Sequence, residues 1–193
     1  MRNYKHIPTV LRAAVLFLVT VGICARSKAA DPCNLSVVPQ EVRAKLDKDY
    51  ADWQPERLEQ LDEDDRAMWI KARPNDCPGI AIGHFESKTE FSFAFLLVSK
   101  PDRKRAGLLI LVFSRPDVSA PYVPRTISKW NVGLFYENSD QVIATVPPGH
   151  YAEAQGPHKV QTDLDGISYE VMEKGTILYY WKNGRYQELA TSD

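Results

Sequence analysis

The feature that most constrains the fold is the stretch 91–113, in which two apolar runs flank a polar loop. In an extended chain the first run is apolar on both faces. One face would carry Phe91, Phe93, Phe95 and Leu97, and the other Ala94, Leu96 and Val98. The second run, 108–113, is equally apolar. The sequence therefore predicts two central strands that the rest of the chain covers on both faces.

Two amphipathic segments precede this pair of strands and are candidates to cover one of its faces. Pro39 suits the first turn of a helix. Apolar residues follow at helical spacing, which predicts a helix over 39–51. They are Val42, Leu46, Tyr50 and Trp53. The acidic run 62–65 precedes Ala67, Met68, Trp69 and Ile70, as is typical of a helix N-terminus, and predicts a second helix over 63–71. A calcium loop is disfavoured there, because the run lacks alternating oxygen ligands and a central glycine.

The C-terminal third has the clearest turn signals. Asn183-Gly184 between two strand-like runs is a strong hairpin signal, because both residues tolerate positive φ, and a two-residue loop would pair Trp181 with Tyr186. Upstream, Asp165-Gly166 predicts a hairpin of 159–164 with 167–172, and 147–158 is predicted to be a long loop. Pro124 would confine a strand at 122–130 to an edge or an irregular position.

These elements predict an α+β protein with a single domain over residues 30–193. Two N-terminal helices would pack on a twisted antiparallel sheet of about six to eight strands, and the chain would end in a β-meander.

Residues 1–29 have the layout of a cleavable signal peptide. A basic segment precedes an uncharged run from Ala13 to Ala25, and Ser27-Lys28-Ala29 offers a cut after Ala29. The run is shorter than the ~20 residues that span a bilayer, although a retained membrane anchor is an alternative. Cys24 suggests lipid attachment, but the bulky Ile23 before it argues against a lipoprotein. The prediction is a periplasmic or secreted protein without a stable transmembrane span after processing.

Charge and cysteine content follow from that processing. Residues 1–29 hold five basic residues and no acidic one, so residues 30–193 keep 19 basic and 25 acidic side chains, a net charge of −6. Such a surface argues against nucleic acid as a partner. Cys33 and Cys77 remain, and an even number of cysteines in an exported chain predicts a disulfide between them. Two cysteines alone do not make a metal site.

Residues 83–94 carry a family resemblance. From Gly83 to Ala94 the segment resembles the calcium loop of FG-GAP and VCBS repeats. The family's ligand positions fall here on His84, Glu86, Lys88 and Ser92. Only Glu86 keeps a carboxylate, and Lys88 places a positive charge where the ion would lie. The resemblance therefore implies the strand–loop–strand shape without the metal.

A second resemblance is spread more widely. The Cys77-Pro78-Gly79 turn, the step from Gly83 to Phe85 and the hairpin with Tyr179-Tyr180-Trp181 are similar to a set of small exported bacterial proteins that are themselves uncharacterised.

Candidate polar sites are few. The sequence contains no Gly-x-Ser-x-Gly, Ser-x-x-Lys or His-Glu-x-x-His motif and no glycine-rich phosphate loop. His84 and Glu86, two apart on one strand face, could share a proton or a cation. His150 and His158 lie at the two ends of the predicted loop. The sequence predicts neither a cofactor nor a metal, and a polar strand end is the competing interpretation.

Two features favour binding. Tyr179, Trp181 and Tyr186 form an aromatic stripe on the last hairpin, of the kind enriched at interfaces and also found in cores. Arg103-Lys104-Arg105 is a basic loop tip that either meets an anionic surface or protects a sheet edge. The sequence thus favours a non-catalytic binding or inhibitor-type module that acts on a protein or a cell-envelope polymer. A hydrolase with a site near His84 and Glu86 or in 147–158, and a structural envelope subunit, are the alternatives.

Overall fold

The computed structural model describes residues 31–100, 106–133 and 140–192, and it confirms the α+β class. Helices α1 and α2 begin within one residue of their predicted starts, and the described ranges also contain eleven strands. The helices are α1 (Gln40–Asp49) and α2 (Glu63–Ala72). The strands are β1 (Trp53–Pro55), β2 (Ile80–Gly83), β3 (Ser92–Ser99), β4 (Ala106–Ser114), β5 (Val123–Gly133), β6 (Gln141–Val146), β7 (Gly149–Ala152), β8 (Lys159–Thr162), β9 (Gly166–Val171), β10 (Gly175–Lys182) and β11 (Arg185–Ser192).

The first sheet is built on β3 and β4, the pair predicted from 91–113. Its strand order is β1-β3-β4-β5, and β2 also pairs with β3, so two short strands share one edge of β3. Strand β5 pairs with β4 and is the last strand in this order, as Pro124 predicts, since proline cannot donate a ladder hydrogen bond.

The second sheet has the order β11-β10-β9-β6. Strands β10 and β11 form the predicted hairpin, in which Trp181 is opposite Tyr186. Asn183 and Gly184 have φ values of 53° and 77° in its turn. Strands β9 and β10 are joined through 172–174, where Glu173 also has a positive φ. The C-terminal meander is therefore confirmed for β9, β10 and β11.

The two faces of β3 and β4 belong to different cores. Phe93, Phe95 and Leu97 lie in a cluster that also contains Val42 and Leu46 of α1. The opposite face lies in a cluster with residues of the second sheet. That cluster includes Ala94, Leu96, Ile110, Ile143, Ile167 and Tyr179. Both faces of the central pair are buried, as its sequence predicts.

Four predictions about this architecture are wrong. The strands are divided between two main sheets, because strands β6, β9 and β10 cover the inner face of β3 and β4. Strand β8 pairs with β7 and not with β9, so the predicted hairpin of 159–164 with 167–172 does not form. Strand β7 lies within 147–158, so this segment is not one long loop as predicted. Phe91 lies before β3 and is 53% exposed, although the alternation in 91–98 predicts it on a core face.

The N-terminal part is tied to the sheet by the predicted disulfide. Cys33 and Cys77 are bonded, and both lie in the cluster with Phe95. The leader predicted over residues 1–29 lies outside the described residues. Within the described ranges, none of the helices is long and apolar enough to cross a bilayer.

The acidic run 62–65 begins α2, but one member has an unfavourable position. Asp62 is the N-cap residue, without a side-chain capping hydrogen bond. Asp65 is only 9% exposed. Burial raises the pKa of Asp65 above its ordinary value of 3.8, and the nearby charges of Asp140 and Asp62 raise this pKa further. The folded protein therefore holds an ionised Asp65 at a cost at neutral pH.

We expect Asp65→Asn to become more stable relative to wild type as the pH rises from 3 to 7. Because the folded-state pKa is raised, the wild-type penalty is absent below the unfolded value and grows as Asp65 ionises above it. The gain at pH 7 should be about 0.5 kcal/mol, the size of a like-charge repulsion on a helix. Denaturant unfolding across this range measures it. Asp64→Asn, exposed in the same turn, is the control, and an equal pH trend in both variants would contradict the prediction.

Candidate functional site

A groove of about 370 Å³ opens at one end of the two sheets. Three separate segments converge there, namely the loop after β2, the connection after β8, and the end of β10. The lining residues are Glu86, Ser87, Lys88, Gln161, Thr162, Asp163, Leu164, Tyr180, Trp181 and Lys182. The groove thus combines one aromatic indole with side chains of both charge signs.

The aromatic wall follows from the hairpin turn. Because Asn183 and Gly184 form a two-residue loop, Trp181 and Tyr186 are direct cross-strand neighbours. Their ring centroids are 5.0 Å apart at an interplanar angle of 68°, an edge-to-face arrangement. Tyr186 packs against the cluster between the sheets, and Tyr179 is a buried member of it. Of the predicted stripe, Tyr179 is core, whereas Trp181 and Tyr186 are half-buried.

Arg125 and Glu86 complete the site. Arg125 lies on β5 opposite Val112, whose side chain faces the second sheet, and so Arg125 faces the second sheet as well. Its Nε lies 3.2 Å from Oε2 of Glu86. Its guanidinium carbon lies 5.3 Å from the centroid of the Trp181 ring, a cation–π distance.

The carboxylate is more buried than the arginine that it pairs with. The Glu86 side chain is 9% exposed and that of Arg125 is 48% exposed. Glu86 Oε1 and the Tyr186 hydroxyl are both buried, and the Tyr186 side chain hydrogen-bonds to Glu86. Burial, and then the charge of Glu86, raise the pKa of Tyr186, so this hydroxyl stays protonated. The buried carboxylate of Glu86 therefore has two partners, the guanidinium of Arg125 and the hydroxyl of Tyr186.

His84 has different partners from Glu86. Its ring stacks on Phe91 with centroids 4.3 Å apart, and its Nδ1 lies 3.3 Å from the carbonyl oxygen of Glu90. Its backbone N–H donates to Asp165 at 2.7 Å, which ties the end of β2 to the start of β9. The proton or cation sharing suggested for His84 and Glu86 is thus not a contact of this structure.

The remaining predicted residues lie elsewhere. His150 is exposed on β7 and His158 is exposed in the loop before β8. Across the described ranges, no group of three or more histidine, cysteine or acidic residues is arranged to hold a metal ion. Arg103, Lys104 and Arg105 lie outside the described residues.

A second and larger cleft, of about 930 Å³, lies next to the disulfide. Its walls include Cys77, Ile80 and two exposed apolar residues, Val37 and Ile70. Two of its lining residues, Asp31 and Asp76, form ion pairs with Arg57 and Arg73. No aromatic side chain is among its described lining residues, in contrast to the groove at Trp181.

Sequence reasoning found part of the site at Trp181 and missed Arg125. The pairing of Trp181 with Tyr186 and the carboxylate of Glu86 could both be identified from the sequence. The contact between Glu86 and Arg125 joins residues 39 positions apart on different elements, and a lone arginine on an edge strand carries no signal of its partner.

Comparison with known proteins gives no further guide. No protein-family model matches the chain, and neither curated proteins nor solved structures show a match. The function therefore has to be inferred from these residues and their geometry.

Proposed function

We propose that this chain is an exported, non-catalytic binding module that acts on another protein. The binding surface is the groove at Trp181 together with Arg125 and Tyr186. One observation carries the proposal: a half-buried tryptophan lines an open groove, with an arginine over its ring and a tyrosine at its side. Tryptophan, tyrosine and arginine are the residues most enriched among those that contribute most to protein–protein binding.

The rim of the groove supports a protein partner. Lys88, Asp163 and Lys182 are exposed around the indole. An aromatic centre surrounded by exposed charged groups has the arrangement of a small protein interface. A groove of this size would accept one or two side chains and not a whole peptide, so most of the interface would lie on the surrounding surface.

The disulfide supports action outside the cytoplasm. Disulfides such as that between Cys33 and Cys77 persist in oxidising compartments and are rare in the cytosol. Together with the predicted leader over residues 1–29, this favours the periplasm or the exterior of a bacterial cell.

The test is capture of partners from a cell-envelope extract by the exported, purified chain. We expect Trp181→Ala to reduce the recovery of at least one captured protein by about tenfold or more, because a central aromatic residue contributes on the order of 2 kcal/mol. Lys182→Glu, which changes the exposed rim and leaves the core intact, should weaken the same capture. Quantitative mass spectrometry of the captured proteins is the measurement.

Ile70→Ala is the matched control, since Ile70 is exposed in the other cleft. It should capture the same proteins as wild type. The proposal fails if the wild-type chain captures no protein, or if Trp181→Ala captures the same proteins in the same amounts. Loss of a polysaccharide and not of a protein in the Trp181 variant would also overturn it.

A further inference from the structure

We infer that the groove at Trp181 binds an acidic segment of the partner protein, in which one apolar side chain enters the groove and flanking carboxylates pair with Lys88 and Lys182. The inference rests on the proposed function, because it names the chemistry of the partner at the same surface. Its basis is the placement of two ammonium groups in the lining of a groove that also holds an indole ring.

The carboxylate of Glu86 is already neutralised within the protein. Nε of Arg125 lies 3.2 Å from its Oε2, and the Tyr186 side chain hydrogen-bonds to it. The ion pair of Glu86 with Arg125 is neutral as a unit, and the Glu86 side chain is only 9% exposed. The charges that a ligand meets in the groove are therefore those of its other lining residues.

Two of those charges are lysines from separate segments. Lys88 belongs to the loop after β2 and Lys182 is the last residue of β10, and both are exposed and line the groove. Within the described ranges, neither ammonium group has an ion-pair partner. Arg185, exposed opposite Lys182 in the hairpin, adds a third cation beside them, whereas Asp163 is the one exposed carboxylate of the described lining. The groove is therefore locally basic.

This local charge is opposite to that of the whole molecule. Residues 30–193 carry 25 acidic and 19 basic side chains. At physiological salt, exposed charges more than about 8 Å apart are largely screened, so a bound segment responds mainly to the cations at the groove. The acidic surface elsewhere repels an acidic partner, and so it favours docking of that partner at the groove.

The apolar part of the groove suits a single anchoring side chain. Trp181, Tyr180 and Leu164 contribute apolar surface to a volume of about 370 Å³. Because one or two side chains fill this space, the neighbours of the anchoring residue remain at the rim, where the two lysines are exposed. Carboxylates next to an apolar anchor would therefore meet ammonium groups without being buried, which avoids the cost of desolvating them.

The test uses the peptide acetyl-Asp-Asp-Phe-Asp-Asp-amide as the probe and the same peptide with asparagine in place of aspartate as its neutral control. The acidic probe should bind the wild-type chain at least about fivefold more tightly, because two exposed ion pairs each contribute roughly twofold. Replacing the phenylalanine of the probe by alanine should weaken binding by about tenfold, the effect of burying one aromatic side chain. Shifts of the Trp181 indole N–H signal in NMR spectra measure the binding.

Variants of the chain assign the preference to the groove. Lys88→Gln combined with Lys182→Gln should bind the acidic and the neutral probe equally. Lys129→Gln is the matched control and should keep the wild-type preference, because Lys129 is exposed opposite Leu109, on the face of the first sheet that lies away from the second. Asp163→Asn should strengthen binding of the acidic probe about twofold, since the lining loses its exposed carboxylate.

Three outcomes would overturn the inference. The first is equal binding of the acidic and neutral probes by the wild-type chain, and the second is an undiminished preference in the double lysine variant. The third is equal or tighter binding of tetragalacturonate, which carries four carboxylates as the probe does but has no apolar side chain. In that case the groove would recognise an anionic polysaccharide and not an acidic protein segment.

Capture experiments separate this inference from the proposed function. If Trp181→Ala loses an envelope protein that the double lysine variant still captures, the binding module stands and the acidic segment is wrong. If neither variant changes capture, the proposed function itself has failed. Loss of the same protein in both variants is the result expected from the two proposals together.

Discussion

Replacing Cys33 and Cys77 together by alanine is expected to lower the free energy of unfolding by about 4 kcal/mol. The two residues are 44 positions apart, so the bond closes a long loop and removes many conformations from the unfolded chain. For a domain of this size, the loss corresponds to a fall in the melting temperature of roughly 8–16 °C. Guanidinium unfolding followed by tryptophan fluorescence measures it.

The effect should be largest in the helical part of the molecule. The loop that the disulfide closes contains α1, β1 and α2. Without the bond, this segment is tied to the sheets only by packing and by short pairings such as that of β1 with β3. We therefore expect amide hydrogens of α1 to exchange faster in the double variant than those of β4.

Reduced wild-type protein is the control for the alanine replacements. It should unfold at a similar denaturant concentration, because it lacks the same bond while it keeps both sulfur atoms. If the double variant lost less than about 1 kcal/mol, the bond would not restrict the unfolded chain as the loop-closure argument requires.

Local patterns predicted the elements that depend on neighbouring residues. The alternation in 91–98 assigned Phe93 and Ala94 to opposite faces, and they lie in different core clusters. The turn at Asn183-Gly184 fixed the pairing of Trp181 with Tyr186. In each case, the backbone geometry of a strand or a two-residue turn leaves one solution.

Patterns failed where distant segments decide the structure. The turn signal at Asp165-Gly166 is real, but Asp165 accepts a hydrogen bond from the backbone of His84. The chain there passes from β8, whose Val160 packs outside the second sheet against Leu178, into β9 of that sheet. A turn signal predicts that the chain changes direction, but it does not predict which strand the following segment pairs with. For the same reason, local turn signals did not predict that the strands divide into two sheets.

The second large effect is expected at Gly79. Gly79→Ala should lower the free energy of unfolding by about 3 kcal/mol, at the upper end of over-packing changes. A β-carbon at Gly79 would lie 2.4 Å from both the backbone nitrogen and the carbonyl oxygen of Glu56. Backbone atoms cannot turn aside as a flexible side chain can, so the chain itself must move.

This displacement would disturb the edge of β3, because the segments at Glu56 and Gly79 both form hydrogen bonds with that edge. Leu96 of β3 accepts a hydrogen bond from the Glu56 N–H and donates its own N–H to the Gly79 carbonyl. Glycine is therefore needed here for the close approach of two backbones that share one strand residue. Separating Gly79 from Glu56 would strain both hydrogen bonds at once, each worth about 1 kcal/mol.

Gly149→Ala is the matched control for Gly79→Ala. A β-carbon at Gly149 would come no closer than 3.7 Å to any neighbour, and its φ is not in the left-handed region. This variant should be as stable as wild type, or more stable by about 0.5 kcal/mol, because alanine restricts the unfolded chain. Urea unfolding of both variants gives the comparison. Equal stability of the two would mean that a β-carbon at Gly79 has more room than the 2.4 Å to Glu56 implies, or that β1 and β2 tolerate separation along the edge of β3.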